Sequence, residues 1–144
     1  MAIQRIAVLG AGQMGNGITQ VAAAAGYDVI MIDIQQEYVD KGLATIQRSL
    51  GKLVSKERMS QEDADATLAR ISLATDRNVC ADCDLVVEAV PEILDLKTSI
   101  FAELDGICKP ETILASNTSS ISISTIADAT NRPDRVIGMH FMNP

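Results

Sequence analysis

Two polar stretches carry side chains that could do acid–base chemistry. His140 is the only histidine of the 144 residues, and it directly follows an apolar run. Because an imidazole titrates near neutral pH, His140 could accept the proton of a substrate hydroxyl while a hydride leaves the same carbon. A lone histidine can also be structural, so both roles stay open. The second stretch, residues 116–120, reads Ser-Asn-Thr-Ser-Ser, and it could cap a helix that begins near Ile123 or direct donors into a cleft.

A glycine-rich turn at residues 10–15, with the sequence GAGQMG, lies between an apolar run and a helical pattern of small residues. This spacing is typical of dinucleotide sites. Gly10 permits the tight turn, Gly12 lets the backbone approach a pyrophosphate, and Gly15 lets the helix pack closely on the strand. Free N–H groups and the helix dipole at that N-terminus favour an anion. The alternative is a turn that holds no ligand.

An acid follows the second predicted strand and supports a dinucleotide. Asp33 lies directly after the apolar run 28–32. In dinucleotide-binding folds, a carboxylate at about this place hydrogen-bonds the 2′-hydroxyl of a ribose. Asp33 is therefore predicted to bind the adenosine ribose.

Strand-like and helical patterns alternate along the chain, which predicts an α/β protein with a doubly wound parallel sheet of the Rossmann type. The run at residues 85–87 is continuously apolar, as expected of a strand covered on both faces. The predicted strands are Arg5 to Leu9, Asp28 to Ile32, Ile71 to Ala74, Leu85 to Ala89, Ile113 to Ala115, and Arg135 to Met139.

A pair of helices is predicted to be inserted after the second strand. The first runs from about Gln36 to Lys56 with apolar residues at three- and four-residue spacing, and Ser60 opens the second with an S-x-x-D cap. Ser49, Lys52 and Lys56 share a polar stripe of the first helix, which could bind a phosphate. Spacing alone favours a solvated face for this stripe.

The segment that ends the fourth strand offers a third group of candidates. Pro91 suits the first position of a helix, and Glu92 suits its first turn because a carboxylate interacts favourably with the helix dipole. Lys97 lies one turn further on and could be merely exposed.

Charge and hydropathy exclude several classes of partner. The formal net charge is −7, which argues against a nucleic-acid-binding surface. No apolar run approaches the roughly 18 residues of a membrane span, and no signal peptide is recognisable. An odd count of three cysteines then predicts a cytoplasmic protein. Cys80 and Cys83 have no second ligand pair for a metal site, which favours two small residues in a short helix or loop.

Several of these motifs together resemble the L-3-hydroxyacyl-CoA dehydrogenase family, and within it the bacterial 3-hydroxybutyryl-CoA dehydrogenases. The similarity spans essentially the whole chain. It lies in the glycine turn with Asn16, Gly17 and Ile18, in Asp33, and in the stretches 84–89, 115–120 and 138–144. The last two stretches are specific to the family rather than to nucleotide-binding folds in general.

The resemblance implies a role for individual residues. His140 matches the catalytic histidine, and Ser119 matches the serine that hydrogen-bonds the reacting oxygen of the substrate. The residues implied to bind NAD are Gly10, Gly12, Gln13, Met14, Gly15, Asp33, Glu92, Lys97, Asn117 and Asn143. Ser49 and Lys56 match positions that contact coenzyme A, which reverses the preference for a solvated helix face. No metal is expected.

The implied reaction is the NAD-dependent, reversible oxidation of an L-3-hydroxyacyl-CoA to the 3-ketoacyl-CoA. Asp33 would repel the 2′-phosphate of NADP, and Ile34 supplies no arginine to receive one. NAD is therefore the predicted cofactor and an acyl-CoA the predicted substrate. A non-catalytic NAD-binding module and a related sugar-acid dehydrogenase are the alternatives. A segment of a multifunctional fatty-acid oxidation chain is disfavoured.

The family continues beyond the last motif of this sequence, with a glutamate that polarises the histidine and a helical C-terminal domain that forms a homodimer. The prediction is therefore one NAD-binding domain over residues 1–144, incomplete at its C-terminus. On its own, such a chain is expected to turn over little or no substrate, because His140 lacks its carboxylate partner.

Overall fold

A computed structural model describes residues 2–141, which form one parallel sheet covered by helices on both faces. The strands are β1 (Arg5–Leu9), β2 (Asp28–Ile32), β3 (Ile71–Ala74), β4 (Leu85–Glu88), β5 (Ile113–Ser116) and β6 (Val136–Gly138). The helices are α1 (Gln13–Ala24), α2 (Gln36–Ser55), α3 (Gln61–Ala69), α4 (Leu94–Ile107) and α5 (Ile123–Ala127), with 3-10 helices at Arg77–Asp82 and Pro133–Arg135.

The six strands lie in the order β3-β2-β1-β4-β5-β6, and every neighbouring pair is parallel. This is the strand order of the Rossmann fold, so the predicted fold class is confirmed. The order reverses between β1 and β4, where Leu9 pairs with Glu88. In open α/β sheets ligands bind beyond the carboxyl ends of the strands at such a reversal.

Two apolar layers cover the sheet. On one face, α1 packs through Ile18 and Ala23 onto β1, β2 and β4. On the other face, Phe101 and Leu104 of α4 and Ile126 of α5 pack onto the strands. All four residues of β4 are buried, as the continuous apolar run predicted.

The predicted helical pair after β2 is present as α2 and α3. They share an apolar cluster of their own, in which Ile46 and Leu50 of α2 are buried together with Ala64 of α3. The hydroxyl of Ser60 accepts a hydrogen bond from the N–H of Asp63 at 3.0 Å, which confirms the predicted cap of α3.

The predicted start of helix α4 is wrong. The helix begins at Leu94, after an extended Ile93, so Pro91 and Glu92 lie before it. The reason is that the carboxylate of Glu92 is hydrogen-bonded to the loop after β5, which holds this segment away from the helix axis. Lys97 of this helix is not a merely exposed residue: it is only 1% exposed because it forms ion pairs with two carboxylates.

The polar stretch after β5 does not cap the next helix. Ser122 is the N-cap of α5 and accepts a hydrogen bond from Thr125, so residues 116–120 are left for other contacts. Ser116 itself belongs to β5, and β6 is shorter than predicted because Pro133–Arg135 form a 3-10 helix.

The cysteines occupy structural positions. Cys80 lies in the 3-10 helix Arg77–Asp82 and Cys83 follows it before β4, both as buried free thiols, which agrees with two small residues in a short helix before a strand. Within residues 2–141, no helix is both long and apolar enough to cross a membrane.

Candidate active site

The glycine turn joins β1 to α1 with no room for side chains at two of its positions. Gly10 has a φ of +110°, and a Cβ there would lie 2.6 Å from the carbonyl oxygen of Ala89. A Cβ on Gly15 would lie 1.8 Å from the carbonyl oxygen of Gly10. The turn therefore depends on glycine for the reasons predicted, a positive φ at Gly10 and close helix–strand packing at Gly15.

The N-terminus of α1 fits an anion. Gly12 is its N-cap residue, and within residues 2–141 no side chain accepts a hydrogen bond from the first helical N–H groups. A Cβ on Gly12 would meet no atom within 4 Å, so the backbone is open on this side. Exposed N–H groups at the positive end of the helix dipole suit the pyrophosphate of a dinucleotide.

Asp33 connects the end of β2 to this turn. Its Oδ2 accepts a hydrogen bond from the N–H of Ala11 at 2.9 Å, and its Oδ1 accepts one from Ile34 at 2.7 Å. Both oxygens keep a second lone pair, so the carboxylate can still accept hydrogen bonds from ribose hydroxyls. Gly42 of α2 packs against the same turn, since a Cβ there would lie 2.9 Å from the carbonyl oxygen of Ala11.

A cleft of about 670 Å³ extends from the glycine turn along the space between α1 and α2. The predicted site residues that line it are Gly12, Gln13, Asp33 and Ser49. The hydroxyl of Ser49 accepts a hydrogen bond from the side-chain amide of Gln20 at 3.0 Å. Lys56 is exposed at the end of α2, and it lies outside the lining of this cleft.

A second cavity, of about 420 Å³, lies at the carboxyl ends of the central strands. It brings together six predicted site residues from the segments after β1, β4, β5 and β6, namely Met14, Glu92, Lys97, Asn117, Ser119 and His140. Ser119 and His140 are both exposed. The predicted cofactor residue Asn143 lies outside the described residues.

Asn117 holds the segment that carries His140. Its side-chain oxygen accepts a hydrogen bond from the N–H of Phe141 at 2.8 Å, and its own N–H donates to the carbonyl of Glu88 at 2.8 Å. Asn117 therefore links the segment after β6 to the end of β4.

Glu92 forms one wall of the cavity and collects hydrogen bonds from the loop after β5. Its Oε2 accepts from the hydroxyls of Thr118 at 2.7 Å and Ser120 at 2.8 Å, and its Oε1 lies 2.9 Å from the ammonium of Lys97. Desolvation acts to raise the pKa of Glu92, but these partners together outweigh it and lower that pKa to about 2. The carboxylate is therefore ionised at neutral pH.

Sequence reasoning missed the buried partner of Lys97. Glu88 ends β4 with no exposed surface, and its Oε2 lies 2.5 Å from the ammonium of Lys97. Its Oε1 accepts a hydrogen bond from the hydroxyl of Ser116 at 2.6 Å. A carboxylate at the end of a continuously apolar strand was the available signal, because buried charges in proteins are paired.

Fold and site together define a class of protein, a dinucleotide-binding domain of a dehydrogenase. The sequence profile described as "3-hydroxyacyl-CoA dehydrogenase, NAD binding domain" matches residues 5–144. The chain belongs to this family, and NAD is the cofactor of its domain.

Relatives in several bacteria agree with this assignment. The chain is 51% identical over 140 residues to a probable 3-hydroxybutyryl-CoA dehydrogenase of Deinococcus radiodurans, covering 97% of this chain and 50% of that one. It is 49% identical over 142 residues to the 3-hydroxybutyryl-CoA dehydrogenase of Bradyrhizobium diazoefficiens, covering 99% and 48%. The crystal structure of (S)-3-hydroxybutyryl-CoA dehydrogenase from Ralstonia eutropha matches with a TM-score of 0.97 and 46% identity, covering 99% and 50%. The chain thus spans about half the length of these three relatives.

Proposed function

We propose that this chain binds NAD and supplies the proton acceptor for the reversible oxidation of an L-3-hydroxyacyl-CoA, such as 3-hydroxybutyryl-CoA, to the 3-ketoacyl-CoA. The observation that carries the proposal is the 420 Å³ cavity, in which His140 and Ser119 lie with Met14 of the glycine turn, Glu92 and Lys97. A proton acceptor, His140, and a hydroxyl donor, Ser119, thus line the same cavity, as an active site of this kind requires.

The chemistry divides between cofactor and protein. NAD supplies the hydride acceptor at C4 of its nicotinamide ring. His140 takes the proton of the C3 hydroxyl as C3 gives up its hydride, and it returns that proton in the reverse reaction. Ser119 hydrogen-bonds the reacting oxygen and so favours one orientation of the substrate.

The residues proposed to bind NAD divide between the two halves of the cofactor. Asp33 receives the adenosine ribose, and Gly10, Gly12, Gln13 and Gly15 form the turn against which the pyrophosphate lies. Met14, Glu92, Lys97 and Asn117 surround the nicotinamide half, and Asn143 is proposed to join them.

The acyl-CoA is proposed to reach the site along α2. Ser49 supports this role because it lines the larger cleft with its hydroxyl held by Gln20. Lys56, at the exposed end of the same helix, supplies a cation for a phosphate of the coenzyme. A homodimeric assembly and a cytoplasmic location stay predictions.

The test is NADH oxidation with acetoacetyl-CoA, measured on the 144-residue chain and on any longer gene product that contains it. Activity that is low in the short chain and high in the longer one is the expected result. A His140→Gln change should lower kcat by about 100-fold or more, the usual contribution of a general base, while NADH affinity is unchanged.

A serine pair supplies the matched control. Ser119→Ala should lower kcat, whereas Ser124→Ala, an exposed serine of α5, should leave it unchanged. Turnover in neither form of the protein, with NADH still bound, would instead establish a non-catalytic NAD-binding module.

A further inference from the structure

The buried carboxylate of Glu88 has more partners than a single ion pair requires. Its Oε2 accepts hydrogen bonds from the ammonium of Lys97 and from the N–H of Val90 at 2.8 Å, and its Oε1 accepts from Ser116 at 2.6 Å. The three donors belong to α4, to the loop after β4 and to β5. One side chain therefore ties together the elements that surround the 420 Å³ cavity.

Lys97 transmits this contact to the cavity. Its ammonium lies between Glu88, which is fully buried, and Glu92, whose side chain is 38% exposed. Glu92 in turn accepts hydrogen bonds from the hydroxyls of Thr118 and Ser120. A continuous series of contacts thus runs from the end of β4 to the loop that carries Ser119.

Stability alone is a weak reason for such an arrangement. Replacing a buried ion pair by apolar residues of similar volume is often neutral or stabilising, because desolvation offsets the attraction between the charges. Here the cation also pairs with a third group, a carboxylate on the cavity wall. This connection favours a role for the buried ion pair in positioning Glu92 on the cavity wall.

We propose that Glu88 is a positioning residue, which acts through Lys97 to hold Glu92 and the Thr118–Ser120 loop in the geometry that receives the nicotinamide half of NAD. This inference rests on the proposed placement of the nicotinamide in the 420 Å³ cavity. It does not depend on turnover, so its failure can be told apart from the failure of the proposed reaction.

The experiment compares two ligands that share an adenosine half. NADH is proposed to occupy both the 670 Å³ cleft and the 420 Å³ cavity. ADP-ribose lacks the nicotinamide ring, which is the part proposed to lie in the cavity. In Glu88→Gln the amide keeps the shape of the carboxylate and removes its charge. The dissociation constant for NADH should rise about tenfold, which corresponds to about 1.4 kcal/mol, while that for ADP-ribose changes less than about twofold.

A matched control lies on the same helix as Lys97. Glu103 of α4 is exposed and pairs at 2.9 Å with Arg77, away from both spaces. Glu103→Gln removes one carboxylate charge, as Glu88→Gln does, and should leave both dissociation constants unchanged. NADH binding is followed by the fluorescence of its nicotinamide ring, without interference from tryptophan because the chain contains none. ADP-ribose, which has no such fluorescence, is titrated by calorimetry.

A second variant guards against misfolding of the first. Glu88→Asp keeps the negative charge, so no buried ammonium is left without its partner, but its side chain is one methylene shorter and draws the carboxylate away from Lys97. It should fold and bind ADP-ribose normally, with a selective loss of NADH affinity. Equal changes for the two ligands in either folded variant, or no change, would overturn the proposal and leave Glu88 with a structural role only.

Discussion

The carboxylate of Asp33 accepts a hydrogen bond from the backbone N–H of Ala11 at 2.9 Å. The acid after β2 is therefore attached to the glycine turn after β1. Since Ala11 lies between Gly10 and Gly12, the group that is proposed to bind the ribose and the turn that is proposed to bind the pyrophosphate form one unit. A change at Asp33 should affect both the choice of cofactor and the order of the turn.

Removing the carboxylate of Asp33 should reduce the preference for NADH over NADPH. Asp33→Ala deletes an acceptor for the ribose hydroxyls and a charge that repels a 2′-phosphate. The dissociation constant for NADPH divided by that for NADH should therefore fall about tenfold or more. Fluorescence titration with each cofactor measures this ratio. Asp40→Ala, an exposed acid of α2, is the control for charge and should leave the ratio unchanged. An unchanged ratio in Asp33→Ala would show that another residue selects the cofactor.

Two glycines of α1 should respond in opposite ways to alanine. Gly15→Ala places a Cβ 1.8 Å from the carbonyl oxygen of Gly10, so β1 and α1 must separate and the midpoint of thermal unfolding should fall sharply. At Gly17 a Cβ would meet no atom within 4 Å, and Gly17→Ala should stabilise the helix by up to about 1 kcal/mol. That gain corresponds to a rise of about 2–4 °C in Tm. Similar shifts for the two variants would contradict the close packing at Gly15.

Arg132 should be one of the most costly cations to remove. Its buried guanidinium pairs with Asp105 at 2.6 Å and donates to the carbonyls of Asp105, Cys108, Lys109 and Thr112, at and beyond the end of α4. Arg132→Met keeps the apolar stem but leaves these acceptors and the carboxylate without their donor. The free energy of unfolding should fall by about 3 kcal/mol or more in denaturant titrations.

Arg135 is the control for that experiment. Its half-buried side chain donates a solvent-exposed hydrogen bond to the carbonyl of Glu111 at 3.1 Å. Arg135→Met should therefore cost less than about 1 kcal/mol. Equal losses in the two variants would mean that the contacts of Arg132 add little to stability.

Asp84 should make the stability of the fold depend on acid pH. Its hydrogen bonds with Lys109 and with the N–H groups of Gln4 and Arg5 lower its pKa from 3.8 to about 2. A lowered pKa means that its contribution is complete above the unfolded value and is lost as pH falls from about 3.8 to about 2. Unfolding free energy measured across this range should therefore decline more steeply for the original chain than for Asp84→Asn.

A variant of Lys109 tests the same pH dependence of the unfolding free energy. Its ammonium is the largest cause of the lowered pKa of Asp84, so Lys109→Met should remove much of the pH dependence while Asp84 keeps its charge. Parallel curves for the original chain and both variants would show that this contact does not couple to folding.

Local signals were enough to predict most of the secondary structure. Continuous apolar runs marked β4, three- and four-residue spacing marked α2, and the Ser60 cap marked the start of α3. The start of α4 was mispredicted because Glu92 is engaged by Thr118 and Ser120, which are more than 25 residues away in the chain. Helix propensity around Pro91 contains no information about such partners.

The amino-acid sequence by itself determined the fold class, the glycine turn and the family, because each depends on residue types at short, regular spacing. Only the tertiary structure decided which candidates share a space: Ser119 and His140 with Glu92 and Lys97 in one cavity, Ser49 in another cleft, and Lys56 in neither. It also decided that Lys97 is buried between Glu88 and Glu92. The physical reason is that a buried charge is stable only beside a partner, and partners on different strands and helices meet only when the sheet forms.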